Sequence, residues 1–198
     1  NALVAASLND LARVLINDRE ANRSFKGESD AREALAIWKT LGSNETTEAA
    51  VSLYLIASAL ARQVRPSEAE PIYQDCLAIR RKLLGNDHKE VASCLDNLGM
   101  VLCEQGKMDE AEQCVRDALA IQKRVLGEKH PDVADSIVNL ATIYCARGKP
   151  EEAETLHREA LAMRRALMGE NHPQVADSLD EVAYMLRLEG KLAESEAL

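Results

Sequence analysis

Aromatic side chains are nearly missing from this chain, which has one Trp, one Phe and four Tyr among 198 residues. That is poor material for a single large core, and Ala and Leu, which suit close helix packing, dominate instead. Positive charge is scarce as well. Lys and Arg number 24 against 33 Asp and Glu, giving a formal net charge of -9; without clustered cations a surface cannot neutralise nucleic-acid phosphates or an anionic membrane. Neither nucleic acid nor membrane is expected as a partner. No signal-peptide pattern and no span of about 20 apolar residues occurs, so the chain reads as soluble and cytoplasmic. Its five cysteines, Cys76, Cys94, Cys103, Cys114 and Cys145, form an odd set without a C-x-x-C. Neither a disulfide framework nor a zinc site is suggested, and small buried thiols in a reducing compartment are expected. Gly-rich phosphate loops, H-E-x-x-H and G-x-S-x-G are absent too. No cofactor and no metal is expected.

What the chain does have is a period. Val91-Ala92-Ser93, Val133-Ala134-Asp135 and Val175-Ala176-Asp177 lie 42 residues apart, as do Gly106, Gly148 and Gly190, and Ala69, Ala111 and Ala153. A fixed repeat of this length marks a solenoid of supersecondary units, each too small to bury its own apolar face alone. Boundaries are expected at 1–44, 45–86, 87–128, 129–170 and 171–198, four full repeats and a truncated fifth. The segment Lys191 to Leu198 opens a second helix and stops about halfway, which reads as an excerpt from a longer array.

Within each period the pattern is helix, turn, helix. Ile137, Leu140 and Tyr144 fall at i, i+3 and i+7, matched by Leu95, Leu98, Leu102 and by Leu179, Val182, Leu186, so each set forms one apolar stripe. Pro131 and Pro173 suit a first helical turn, where a missing N–H costs nothing, and Asp132 adds negative charge at the positive helix end. Gly106, Gly148 and Gly190 supply the left-handed residue that stops this first helix. A second helix follows from near Met108, Pro150 or Leu192 and ends at Gly85, Gly127 and Gly169. In the first repeat the connection between the two helices is expected to be about three residues longer, within Asn17 to Ser29, a polar stretch. In the second, Arg65-Pro66 replaces the Gly-Lys turn.

These residues resemble a known signature. Leu95, Leu98-Gly99, Leu102, Ala111 and Ala118, and more closely Ile137, Leu140-Ala141, Tyr144, Ala153 and Ala160, are similar to the tetratricopeptide repeat. The 42-residue period, with Leu156 to Arg165 and Gly127-Glu128-Lys129-His130-Pro131-Asp132-Val133-Ala134, resembles the kinesin-light-chain type of that repeat. The resemblance implies an all-α fold, a right-handed superhelical solenoid of antiparallel helix pairs (a TPR array), whose first helices line a concave face.

A catalytic reading fails against the periodicity. His130, Asp135 and Ser136 suggest a nucleophilic triad, but His172, Asp177 and Ser178 repeat the spacing and His88 and Ser93 echo it. An active site is built once, whereas a structural device recurs. The histidines are read as ordering the turn before each first helix, and no enzyme activity is expected. Equivalent points of stacked repeats lie on the order of 10 Å apart, too far for shared zinc ligation.

Binding remains, and the resemblance places it in the concave groove. The candidates are Ser93, Asn97, Met100 and Glu104 from the third repeat, Asp135, Asn139, Thr142 and Ala146 from the fourth, and Asp177, Glu181 and Tyr184 from the fifth. The second adds Tyr54, Leu55 and Ser58, and the first Asp10 and Arg13. Asn97 and Asn139 carry most weight, because an amide both donates and accepts and can hold an extended peptide backbone; the alternative is a bond to a neighbouring helix. Ser93, Asp135 and Asp177 stand where chaperone-binding relatives clamp a carboxylate with Lys and Arg, so no such clamp is expected. Kinesin light chains take acidic Trp-bearing peptides; an acidic groove around Asp96, Asp135, Asp177, Asp180 and Glu181 implies a protein or peptide partner that is neutral or basic over the last two first helices. Two functions stand: a protein-interaction scaffold, or a self-associating or regulatory segment of a larger kinase- or NTPase-linked protein. Weak self-association through the truncated C-terminal end belongs to the second.

Overall fold

The computed structural model describes residues 1–18, 21–188 and 190–196, and among these every regular element is an α-helix. The first helices of the pairs are α1 (Ala2–Asn17), α3 (Thr47–Arg62), α5 (Lys89–Glu104), α7 (Pro131–Ala146) and α9 (Pro173–Leu188). The second helices are α2 (Ala21–Thr40), α4 (Pro66–Leu84), α6 (Met108–Leu126), α8 (Pro150–Met168) and α10 (Leu192–Glu196).

Local chemistry sets these limits. The recurring histidines are capping residues: Nδ1 of His88, His130 and His172 accepts the backbone N–H of Glu90, Asp132 and Gln174 at 3.2, 3.1 and 3.3 Å. The Thr46 hydroxyl oxygen does the same for Ala49. Each satisfies a donor that a helix start leaves open, worth about 1 kcal/mol. First helices stop at Gly106, Gly148 and Gly190, which have φ of +78°, +73° and +78°. The following N–H, from Lys107, Lys149 or Lys191, then donates back to the carbonyl of Leu102, Tyr144 or Leu186 at 2.9, 3.0 and 2.8 Å. In the second repeat Val64 takes the same position at φ +57°, without the glycine that makes it cheap.

The first repeat differs from expectation. Its three extra residues do not lengthen the connection; they extend a helix. α2 begins at Ala21, which a 42-residue shift places three residues ahead of Pro66 in α4. Gly27 then matches Ala69, and a Cβ added to Gly27 would stand 3.1 Å from the Ala12 carbonyl oxygen. Helix satisfies the backbone of this polar stretch internally, which an irregular loop would leave to solvent. Residues 19 and 20, which fall within that stretch, lie outside the described residues.

Packing follows the apolar stripes. Leu95, Leu98, Leu102, Ile137, Leu140, Val182 and Leu186 are buried, and Ala69, Ala111 and Ala153 are fully covered where second helices approach the first. Each such Leu or Ile contributes about 1.5–3 kcal/mol relative to exposure. Of the cysteines only Cys76 and Cys94 are buried; Cys103, Cys114 and Cys145 are partly exposed, because they sit on the edges of the stripes. Every helix packs on its successor. First helices also touch one another, α1 with α3, α3 with α5 and α5 with α7, whereas among the described residues no two second helices meet. The stack therefore curves, with first helices on the tighter, concave side.

Candidate binding groove

A polar device ties neighbouring repeats together beneath the groove. A second-helix residue bonds a small polar residue of the next first helix 14 positions on: Gln122 Oε1 accepts from Ser136 Oγ at 2.7 Å, and Arg164 Nη1 donates to Ser178 Oγ at 2.6 Å. In the preceding unit Arg80 Nη1 lies 3.3 Å from Cys94 Sγ. Arg164, 7% exposed, also reaches the Asp135 carboxylate at 2.7 Å, so a buried guanidinium has its counter-charge.

On the concave side the tyrosines organise α3. The Tyr54 and Tyr73 rings meet edge to face at 5.8 Å between centroids, and the Arg80 guanidinium lies 4.7 Å over the Tyr54 ring. Tyr54 Oη accepts from Asn97 Nδ2 at 3.0 Å, while Tyr73 Oη and Ser58 Oγ are 2.9 Å apart. Burial pushes both phenols above their ordinary range, so both are neutral donors. Two adjoining clefts open above this floor. One, of about 320 Å³, is lined by Arg13, Asn17, Tyr54, Ser58, Arg62 and Asn97 among others. The next, of about 290 Å³, adds Val51, Arg80, Glu90 and Ser93.

The expected groove residues divide accordingly. Arg13, Tyr54, Leu55, Ser58, Ser93 and Asn97 meet in these clefts. Asp10, Glu104 and Ala146 are exposed and Met100 is half-buried, and none of the four lines either of these two clefts. Asp135, Asn139, Thr142, Asp177, Glu181 and Tyr184 lie further along, on α7 and α9. Several of them are already engaged. Asn97 donates to Tyr54 and to the Ser93 carbonyl at 2.8 Å; Asn139 donates to Asp96 Oδ2 at 2.9 Å. Both amides therefore bond a neighbouring first helix, leaving their oxygens for another partner. Asp135 holds Arg164, Thr142 Oγ1 donates to the Val138 carbonyl, and Glu181 Oε2 lies 3.1 Å from His157 Nδ1. Asp177 and Tyr184 are exposed. Asp96, expected as groove charge, is buried, and burial raises its carboxyl to about 7.

Sequence reasoning missed Arg62, Tyr73 and Arg80. The last two belong to a second helix and reach the groove between first helices. A signal existed: Arg80, Gln122 and Arg164 recur every 42 residues as polar residues inside an apolar stretch. The electrostatics are uneven. Arg13 and Arg62 make no salt bridge among the described residues, whereas Asp177 and Asp180 leave the far end acidic. Among the described residues no group of three or more His, Cys, Asp or Glu is placed to hold a metal, and no helix is long and apolar enough to cross a membrane.

Comparison with known proteins places this geometry. A family model described as tetratricopeptide repeat matches residues 48–124, 90–166 and 132–198. No curated protein sequence matches significantly. Among solved structures, the nearly identical TPR-like repeats of a kinesin-light-chain candidate from Podosopora anserina superpose with a TM-score of 0.78 at 23% identity, over 97% of this chain and 89% of that one. BtubC (BKLC) from P. vanneervenii gives 0.75 at 23% identity, over 99% and 85%. A Rap protein complexed with competence and sporulation factor gives 0.70 at 18% identity, over 99% and 61%.

Proposed function

Because the chain belongs to the tetratricopeptide repeat family, generally non-catalytic scaffolds that commonly mediate protein–protein interaction, we propose that it docks an extended peptide or partner segment in its concave groove. The observation that carries this is the pair of adjoining clefts floored by Tyr54, with amide, hydroxyl and guanidinium groups converging on an aromatic surface. Few convergent polar groups over an apolar floor are the usual make-up of a recognition site. The Rap neighbour, of the same fold, is itself in complex with a factor, which is consistent with this reading.

Charge gives the partner a polarity. The end around α9 carries Asp177, Asp180 and Glu181, so the segment crossing α7 and α9 is neutral or basic; at the other end Arg13 and Arg62 offer donors to the carbonyl oxygens of its backbone. Anisotropy titration with labelled Lys/Arg-rich and acidic peptides of equal length tests this. The basic peptide is expected to bind more tightly, and reversing Asp177 and Asp180 to Lys to weaken it about tenfold, as two rim charges allow. Tighter binding of the acidic peptide, or indifference to the reversal, would overturn the assigned polarity.

One observation favours the second reading, that the array packs on a copy of itself or on another domain. Leu3, Val4, Leu11 and Val14 of α1 are 77%, 47%, 47% and 66% exposed, an apolar face of the kind that marks an interface. Mass measured across concentration would reveal self-association. A persistent monomer would remove a second copy of this chain as the occupant of that face.

A further inference from the structure

The polar device changes chemistry at one junction. Eighteen residues before each serine of that device the second helix carries an alanine, Ala118 before Ser136 and Ala160 before Ser178. Between α4 and α5 the same positions hold Cys76 and Cys94, both fully buried, with Sγ atoms 3.2 Å apart. That is contact distance, and a bond of about 2.05 Å would need them to close by only about an ångström. The two sulfurs are not equivalent. Cys76 Sγ also lies 3.2 Å from the Ala50 carbonyl oxygen, but it carries a single proton, which turns to Cys94 when Cys94 is ionised. Cys94 Sγ faces Arg80 Nη1 at 3.3 Å, and the nearest carboxylate to that guanidinium, Glu90, stands 3.5 Å from Nε. The hydrogen bond from Cys76 and the charge of Arg80 favour the Cys94 thiolate, while the same bond and burial hold Cys76 protonated. Arg80 and Glu90 also line the cleft of about 290 Å³ above, which brings small solutes to the guanidinium that covers the pair.

We propose that Cys76 and Cys94 are an oxidation site for hydrogen peroxide or a small hydroperoxide, with Cys94 as the attacking sulfur and Cys76 as the resolving one. The Cys94 thiolate attacks one peroxide oxygen, the O–O bond breaks, and the product is a sulfenic acid with hydroxide leaving. Cys76 sulfur then attacks the sulfenic sulfur. The S–S bond forms as the S–O bond breaks, and the departing hydroxide takes the Cys76 proton as water. The first hydroxide takes up the proton that Cys94 released on ionising, so two thiols are oxidised and one hydrogen peroxide is reduced to two waters, or one organic hydroperoxide to an alcohol and water. The disulfide staples α4 to α5, the junction of the second and third repeats, and removes the thiolate beside Arg80, which stacks on the Tyr54 floor of the groove.

The folded chain, treated with hydrogen peroxide and alkylated after denaturation, tests this by intact mass and tryptic mapping. The expected result is loss of two hydrogens, protection of two of the five thiols, a peptide linking Cys76 to Cys94, and reversal by a thiol reductant. C76A and C94S install the residues that neighbouring repeats already carry, so both are expected to keep the wild-type circular dichroism. C76A is expected to leave a sulfenic acid at Cys94 that dimedone captures, and C94S to leave Cys76 unmodified. Oxidation in order of exposure, with Cys103, Cys114 and Cys145 reacting while the buried pair stays reduced, would overturn the proposal. So would an equally reactive Cys76 in C94S.

Discussion

Replacing Asp96 by Asn is expected to stabilise the protein by an amount that depends on pH. Asp96 sits on α5 with 9% exposure. One carboxyl oxygen accepts from Asn139, and the other, Oδ1, has no hydrogen-bond partner. Burial raises its pKa to about 7, hydrogen bonding offsets this only in part, and the Asp135 and Asp132 carboxylates add to it. In the unfolded chain the same group titrates near 3.9. Between about pH 4 and 7 the folded state therefore keeps a proton that the unfolded state has lost, and stability falls as pH rises through that window. The full penalty is about 4 kcal/mol above pH 7, about half of it present at pH 5.5, and almost none at pH 4. Asn cannot ionise, and its amide oxygen accepts the same bond from Asn139. Urea unfolding followed by circular dichroism, run on both proteins at pH 4, 5.5 and 8, isolates the effect because every other group cancels in the difference. The gap should open from near zero to about 2 and then about 4 kcal/mol. A gap that stays flat with pH, or a variant less stable than wild type at pH 8, would refute the reasoning.

Three further substitutions probe particular contacts. Val64→Gly should stabilise by about 1 kcal/mol, since Val64 pays the left-handed cost; it holds φ +57° while 79% exposed, and an unchanged thermal midpoint would contradict this. Gly99→Ala should destabilise by about 1 kcal/mol despite the better helix propensity. Its Cβ would stand 2.6 Å from Val115 Cγ2 and 3.0 Å from the Ala111 carbonyl oxygen, and a higher melting temperature would show that the helices have room. Asp135→Ala takes the carboxylate from buried Arg164, but Asp135 is 45% exposed, so solvent screening limits the loss to about 1 kcal/mol. A double-mutant cycle with Arg164→Met should show positive coupling, and strict additivity would mean the pair contributes nothing.

Much of the fold could be read from the chain because its physics is local. Caps at His88, His130 and His172, stops at Gly106, Gly148 and Gly190, and stripes at i, i+3, i+7 each depend on neighbours within a turn or two. The groove depended on relations between repeats, which the pattern inside one repeat does not contain. Asn97 and Asn139 meet Tyr54 and Asp96, each 43 residues back, one position off the sequence period because adjacent first helices are staggered. Arg80 and Arg164 share one register in the sequence, but only the three-dimensional fold puts a thiol or a serine against them. The extra residues of the first repeat looked like loop because they are polar, yet helix α2 absorbs them.

Among the described residues no helix touches another more than two places away in chain order. Among these residues nothing connects α1 to α9 directly, so the rigidity of this stretch is only the sum of its joints. A segment lying along the whole groove would act as a splint. Its free energy of binding would appear partly as cooperativity, joining the melting of end repeats that otherwise respond only to their neighbours. A partner of half that length could bind almost as tightly at its own repeats and leave the opposite end as loose as before.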